Sequence, residues 1–368
     1  MASAVDVAGS AGLVSTGPQA VRANAPAECF VAADVGGTNA RVGLVRALAD
    51  GSIEVLDYRR YPCADYPSLT AILADFAKRH VDGGGSRDAV TRMSIASAGV
   101  VLDGEVINSN LPWRISLQDL RDTLGLRELH VINDFAAAAH GVHRLDASQS
   151  RLLAPGVAAA EAGPVLVIGP GTGLGAAICI PQGTGVVVLP TEAGMAAFAP
   201  GNEREIEILR WLQRRSRHVC TEQLVSGPGL VNIFDALCEV HGAPALLRAP
   251  AAISQAAREG DAVALEAVQT FCALLGSVIG DLAMIAGATS VHVAGGIVPQ
   301  LVDFLPDSDF HARLLDKGAM RAVLERVPVR LVENERLGVI GAAGWYLQHL
   351  QERDNQGKAM QGQAAATR

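Results

Sequence analysis

The chain has 368 residues, of which 49% are hydrophobic and 18% charged, and its formal net charge is −8. That length exceeds one comfortable core and calls for two lobes. An aromatic content of 4% and the lack of a basic block exclude a stacking platform for single-stranded nucleic acid and a phosphate-neutralising face for duplexes.

Residues 1–27 are rich in Ala, Ser, Gly, Val and Pro but lack the basic start and apolar block of a secretory signal. They are expected to be a disordered leader, or to follow a misplaced start codon. No uncharged apolar run is long enough to span a bilayer, so no membrane segment is expected. The six cysteines, Cys29, Cys63, Cys179, Cys220, Cys238 and Cys272, form no Cys-x-x-Cys pair. They read as small core residues in a reducing, cytoplasmic setting.

The first organised feature is Asp34-Val-Gly-Gly-Thr-Asn-Ala-Arg41, set between two short apolar runs that read as strands. A glycine pair there predicts a tight hairpin, with φ > 0 open to both Gly36 and Gly37. An ordinary hairpin turn accounts for that much. The polar company suggests more: bare backbone at the glycines, donors on Thr38 and Asn39, and a carboxylate on Asp34 suited to hydrated Mg²⁺ would together cradle a polyphosphate.

Residues 52–58 alternate as a strand, 66–78 have helical spacing with Pro67 near the start, and 93–97 form another strand. Ser116 and Asp119 are spaced as a capping pair for a helix over 116–124. A strand over 129–133 then delivers Asp134 at its carboxyl end, ahead of the Ala-rich helix 135–140. After a Pro/Gly/Ala linker at 155–164 the theme recurs as strand, glycine loop Gly169-Pro-Gly-Thr-Gly-Leu-Gly175, and strand. Two such units facing across a cleft supply two phosphate loops, one from each half. Helices follow over 203–215, 230–240 and 262–286, and a strand over 291–294 leads into Gly295-Gly296, where backbone can pass close to a ligand. The tail from 352 is polar and expected to be disordered.

Single-loop nucleotide sites fail on this sequence. Leu174 stands where Gly-x-Gly-x-x-Gly needs its third glycine, no Gly-Lys-Ser/Thr follows either loop, and the protein-kinase motifs are missing. Six ordered segments instead resemble the bacterial ATP-dependent glucokinase family. They are Asp34–Arg41, Asn133-Asp134-Phe135, Gly169–Gly175, Leu189-Pro-Thr-Glu192, Leu224-Val-Ser-Gly-Pro-Gly-Leu230 and Ala294-Gly-Gly-Ile-Val-Pro299. The resemblance runs from about Cys29 to Leu350. It lacks the cysteine-rich zinc motif of the related repressor-and-kinase branch.

The resemblance implies a two-lobed α/β fold of the actin/hexokinase type, a duplicated ribonuclease H-like unit with the nucleotide and sugar in the cleft. Residues 28–143 with 337–351 would form the small lobe and 144–336 the large one, between the leader 1–27 and the tail 352–368. It implies ATP with Mg²⁺, a sugar acceptor, no nucleic acid or membrane partner, and leaves a homodimer open. In these terms Asp134 is the general base, although helix N-cap is its plain structural alternative. Asn110, Asn133, Glu192 and Glu222 would bond the sugar. Asp34, Gly36, Gly37, Thr38, Asn39, Gly169, Gly171, Thr172, Gly173, Gly295 and Gly296 would hold the nucleotide, with Asp34 reaching Mg²⁺ through water. Trp113 reads as core packing.

One departure stands out. The family's sugar loop reads Glu-Gly-Gly-His, and this chain has Glu192-Ala-Gly-Met195. A thioether in place of an imidazole keeps open an N-acetylglucosamine kinase, or a homologue that senses sugar with weak catalysis, beside the glucokinase reading. An actin-like ATPase with no sugar requirement is a further alternative.

Overall fold

The computed structural model of the chain describes residues 29–48, 51–107, 111–157, 162–183 and 185–366. The expected leader therefore lies outside the described residues. In chain order the strands are β1 (Cys29–Val35), β2 (Asn39–Ala47), β3 (Ile53–Pro62), β4 (Arg92–Ser97), β5 (Val100–Leu102), β6 (Glu105–Ile107), β7 (Ile115–Ser116), β8 (Glu128–Asn133), β9 (Ser150–Ala154), β10 (Val165–Pro170), β11 (Leu174–Gln182), β12 (Gly185–Thr191), β13 (Ser290–Val293) and β14 (Val329–Val332). The helices are α1 (Leu69–Asp82), α2 (Leu117–Leu124), α3 (Asp134–Val142), α4 (Glu203–Gln213), α5 (Gly227–His241), α6 (Pro250–Arg258), α7 (Ala262–Ala286), the short turns α8 (Val298–Leu301), α9 (Phe310–Leu315) and α10 (Arg321–Leu324), and α11 (Leu337–Ala366).

Two sheets repeat one topology. The first runs β3-β2-β1-β4-β8 and the second β12-β11-β10-β13-β14-β9. In each, an antiparallel hairpin is flanked on one side by a third antiparallel strand and on the other by two parallel strands, to which the second sheet adds β9 antiparallel at its edge. The parallel partners enter by helical crossovers, so the hairpin tips and the carboxyl ends of the parallel strands gather at one edge of each sheet, where α/β folds place their ligands. The small β5-β6-β7 sheet is an insertion in the first unit.

Strand alternation explains the layers. In β1, Val31, Ala33 and Val35 face a core shared with Leu69, Ile72 and Phe76 of α1, while Phe30 and Ala32 face Val339, Ala342 and Tyr346 of α11. In β10, Leu166 and Ile168 face α5 and α7, whereas Val167 faces Ala138, Ala139 and Val142 of α3. Covered on both faces, these strands are apolar apart from Asp34 near the end of β1, as strands buried on both sides require.

The two sheets meet through α3 and α11, which cross on small residues. A Cβ at Gly341 would overlap the Ala137 carbonyl oxygen, and one at Gly141 would lie 2.7 Å from the Leu337 carbonyl oxygen. The buried Ser94 hydroxyl donates to the Ala342 carbonyl at 2.8 Å and fixes α11 on the first sheet. Helix α7 is long and apolar enough to cross a membrane by composition. Its Phe271, Cys272, Leu275 and Ile279 are instead packed in the second core.

Several local expectations change. Helix α1 begins after Ser68, whose Oγ accepts from the Ala71 N–H at 3.1 Å, so Pro67 lies just ahead of the cap. Ser116 caps α2 as expected from its spacing, but Asp119 turns away to accept from the Thr70 hydroxyl at 2.6 Å, joining α2 to α1. The tail expected to be disordered from residue 352 continues α11 to Ala366. Its Ala, Gln, Lys and Met content favours helix once the preceding turns are nucleated on the sheet.

Replacing Gly341 by valine should destabilise the protein by at least about 2 kcal/mol, because the added carbons meet main chain that has no room to move. Urea unfolding followed by circular dichroism measures this. A variant as stable as the parent would show that the crossing is not close-packed.

Candidate active site

The tip of the first hairpin is a loop of three residues. The Gly36 N–H donates to the Asn39 carbonyl at 3.0 Å, and the Cys63 N–H donates to the Thr38 carbonyl at 2.8 Å. The Asn39 side chain accepts from Arg60 Nε at 2.9 Å. Contrary to the expectation from the glycine pair, neither Gly36 nor Gly37 has positive φ. Support from the segment after β3 removes the need for a left-handed turn.

The second tip closes with the Gly171 N–H donating to the Gly173 carbonyl at 2.8 Å. Helix α5 points its amino end at this loop. Ser226 caps it through the Gly229 N–H at 3.0 Å, and the Gly227 N–H donates to the Gly171 carbonyl at 2.8 Å. Sequence reasoning named the Leu224–Leu230 segment but not Ser226 and Gly227 as part of the site. The Ser-Gly-Pro-Gly order, a cap followed by Pro near the helix start, was the available signal.

The glycines divide by what a side chain would meet. A Cβ at Gly169 would lie 2.8 Å from Phe135 Cζ, one at Gly175 would overlap the same ring, and one at Gly173 would overlap the Glu222 carboxylate. Gly295 has φ of +98° and lies against the Pro170 carbonyl. Packing or conformation explains all four. Gly171 and Gly296 have nothing within 4 Å of an added Cβ, and Gly36 meets only the Asn39 carbonyl at 3.6 Å. Space kept clear at ordinary φ, beside a helix amino end, suits close approach of a phosphate chain.

The carboxylates converge on this space from different elements. Asn133 is the N-cap of α3: its Oδ1 accepts from the Phe135 and Ala136 N–H groups, each at 3.0 Å. The capping role considered for Asp134 thus belongs to its neighbour. Asp134, the first helical residue, is left with Oδ1 accepting from the Phe135 N–H at 2.9 Å. Burial raises the Asp134 carboxyl to about 6, and the nearby charges of Asp34 and Glu192 push the same way against its main-chain bonds.

Asp34 is the last residue but one of β1, with Oδ2 accepting from Arg41 Nη1 at 3.1 Å. Its carboxyl is also raised by burial, and Arg41 opposes the shift. A Cβ at Gly338 would lie 2.7 Å from Asp34 Oδ2, so the first turn of α11 stands beside this carboxylate and favours its charge. Arg41 and Gly338 are further site residues that the sequence reading did not single out. Among the described residues no group of three or more His, Cys, Asp and Glu side chains could cage a metal. The half-buried Asp34 carboxylate, its Oδ2 taken by Arg41 and its Oδ1 unbonded among the described residues, fits Mg²⁺ that arrives on a nucleotide and keeps most of its water.

Glu222 reaches under the second loop, where its Oε2 accepts from the Leu174 N–H at 2.7 Å. Glu192 is exposed at the start of a turn over Ala193–Met195. That turn is pressed against the second hairpin, since a Cβ at Gly194 would overlap the Leu174 carbonyl. Met195 is 45% exposed, and its carbonyl lies 3.0 Å from His218 Nε2. Trp113 bonds the Tyr66 carbonyl through Nε1 at 3.1 Å and packs on the first core. Asn110 lies outside the described residues.

Comparison with known proteins places this geometry in context. A family model described as Glucokinase matches residues 31–349. A glucokinase-like protein of Xylella fastidiosa is 46% identical over 323 residues, which are 86% of this chain and 94% of that protein. A glucokinase of Chromohalobacter salexigens is 37% identical, covering 84% of this chain and 94% of its own length. The crystal structure of a glucokinase from an Antarctic psychrotroph superposes with a TM-score of 0.74 at 33% identity, over 86% of this chain and 98% of that one.

The raised Asp134 carboxyl has a consequence for stability. A folded value of about 6 above an unfolded value near 3.9 means that the folded state binds the proton more tightly. Ionisation therefore costs stability at pH 7, and that stability returns as pH falls through about 6 towards 4. Asp134→Asn should raise stability at pH 7 by up to about 3 kcal/mol, with the gain shrinking at pH 4. Thermal unfolding at the two pH values tests this, and equal gains at both would contradict it.

Proposed function

The chain belongs to the glucokinase family, whose members are ATP-dependent hexose kinases, and on that premise we propose that it phosphorylates D-glucose at the 6-hydroxyl with Asp134 as general base. The observation that carries the reading is the Asp134 carboxyl itself. It is raised to about 6, close to working pH, where a base is both ionised and strong enough to take a hydroxyl proton.

The remaining roles follow from position. Asn133 spends its Oδ1 on the helix, so its amide N–H groups are the part offered to the sugar. Glu222 commits Oε2 to Leu174, leaving Oε1 for a sugar hydroxyl. Glu192 accepts from another hydroxyl, and Asn110 is assigned by resemblance alone. Each charge-assisted bond of this kind contributes about 1.5–3 kcal/mol.

The Gly36–Asn39 and Gly169–Gly173 loops receive the phosphates from opposite sheets, with Thr38 and Thr172 adding hydroxyls, and Gly295–Gly296 flank the adenosine. Mg²⁺ would neutralise developing charge on the phosphates, held through water by Asp34. Closing the lobe of residues 28–143 and 337–351 onto that of 144–336 would align the 6-oxygen with the γ-phosphorus and exclude water. Phosphoryl transfer depends mainly on such positioning, so one aspartate suffices as the acid–base group.

Met195 supports a second reading, the same transfer to N-acetylglucosamine. Its thioether is 45% exposed beside Glu192 and presents an adaptable apolar wall where a 2-acetamido group could rest.

An ADP-release assay with Mg-ATP and glucose, N-acetylglucosamine, mannose or fructose decides the acceptor. Glucose is expected to give the highest kcat/KM. A higher value for N-acetylglucosamine would select the second reading, and sugar binding without turnover would point to a sensor. Asp134→Asn should lower kcat by at least about 10²-fold with sugar affinity little changed. For the unaltered enzyme kcat/KM should rise as pH increases through about 6, as Asp134 loses its proton. Near-normal turnover in the Asn variant would remove Asp134 as base.

A further inference from the structure

The turn that carries Glu192 is held from outside itself. Glu192 precedes the single turn over Ala193–Met195 and makes no side-chain capping bond to it. Where its carboxylate stands therefore follows from where the main chain of the turn lies. Within the turn the Met195 N–H donates to the Glu192 carbonyl at 2.9 Å, and the Ala196 N–H to the Ala193 carbonyl at 3.1 Å. A single turn with two such bonds is not stable alone.

Contacts from other segments fix it. On its buried side Gly194 lies against the Leu174 carbonyl, with no room for a Cβ. Leu174 is also the residue whose N–H donates to Glu222 Oε2 at 2.7 Å. On its exposed side the Met195 carbonyl accepts from His218 Nε2 at 3.0 Å. A carbonyl oxygen can only accept, so Nε2 is the donor in this pair.

His218 stands four residues before Glu222, and the contacts close a ring. It runs from Glu222 to Leu174, across to Gly194 and Met195, on to His218, and along the chain back to Glu222. The main chain under His218 is fixed independently. Ser216 Oγ donates to the His218 carbonyl at 2.6 Å, and the buried Val219 and Cys220 follow. Beyond the turn, the Phe198 N–H donates to the Val219 carbonyl at 2.9 Å. The Ala196 carbonyl accepts from the Thr221 N–H at 2.8 Å and from its Oγ1 at 3.1 Å. These ties hold residues 196–198 whatever side chain occupies position 218.

Among the described residues, the turn's own side-chain partner is the exposed His218. Its bond goes to the acceptor side of the site and to neither Asp134 nor a phosphate loop. A loose turn would have to be ordered as the sugar binds, which lowers affinity without touching the transfer step. A turn already held by the ring avoids that cost.

We propose that His218 is a positioning residue for the phosphoryl acceptor, whose ring N–H holds the Met195 carbonyl and so sets Glu192 relative to Glu222. This rests on the reading of Glu192 and Glu222 as partners of the sugar. Calorimetric titration of the full chain with D-glucose and with N-acetyl-D-glucosamine, without nucleotide, tests it beside steady-state kinetics. His218→Leu keeps bulk and removes the donor, and should weaken binding of the preferred sugar about three- to tenfold, the contribution of one neutral hydrogen bond. Its kcat at saturating sugar and its KM for Mg-ATP should stay within about twofold of the parent. His218→Gln, whose amide N–H has a reach similar to that of Nε2, should restore sugar affinity. Unchanged sugar affinity in the Leu variant would overturn the proposal, as would a Gln variant as weak as the Leu variant, or a loss that fell on kcat instead. Lack of binding of either sugar to the parent would overturn it too. Sugar binding without ADP release would refute the kinase reading and leave the affinities of the variants as the test of His218.

Discussion

The site depends on one contact, the ring of Phe135 lying over Gly169 and Gly175 of the second hairpin. Asn133 caps α3, Asp134 opens it, and Phe135 follows at once, so the ring's seat fixes where the Asp134 carboxylate stands relative to the second loop. The first sheet supplies the strand that ends at Asn133, and the second supplies the glycines that admit the ring. Either glycine replaced by alanine would expel Phe135 and shift the acid with it. Positioning of this kind is most of what a phosphoryl-transfer site contributes.

Around that contact the protein gathers carboxylates at a cost. Asp34 and Asp134 are both held above the ordinary range by burial, and Asp34 and Glu192 add repulsion at Asp134. The compensation is partial. Arg41 pairs with Asp34, α11 begins beside it where Gly338 leaves room, and main-chain N–H groups meet Asp134. Sites arranged for chemistry commonly carry such strain, and the stable crossing of α3 with α11 supports it from below.

The crossing of α3 with α11 also holds the two sheets together. Small residues at Gly141 and Gly341 let the two helix backbones approach closely.

Much of this was legible in the chain itself. Short apolar runs around glycine loops set both hairpins, and their recurrence announced the duplicated sheets, because strand period and turn chemistry are local properties. The order of six motifs identified the family for the same reason. What the chain could not declare was how its distant parts would meet. Which glycines serve packing and which leave open space depends on Phe135, Glu222 and Pro170 approaching from elsewhere. Asn133 rather than Asp134 became the cap only when the strand end and helix start took their final geometry. The raised acidity constant of Asp134 arises from burial and from charges on other elements, and the polar tail joined a helix only because α11 was already anchored on the first sheet. Local sequence determined the elements and their chemistry; long-range packing decided which groups are spent holding the structure and which remain for the ligand.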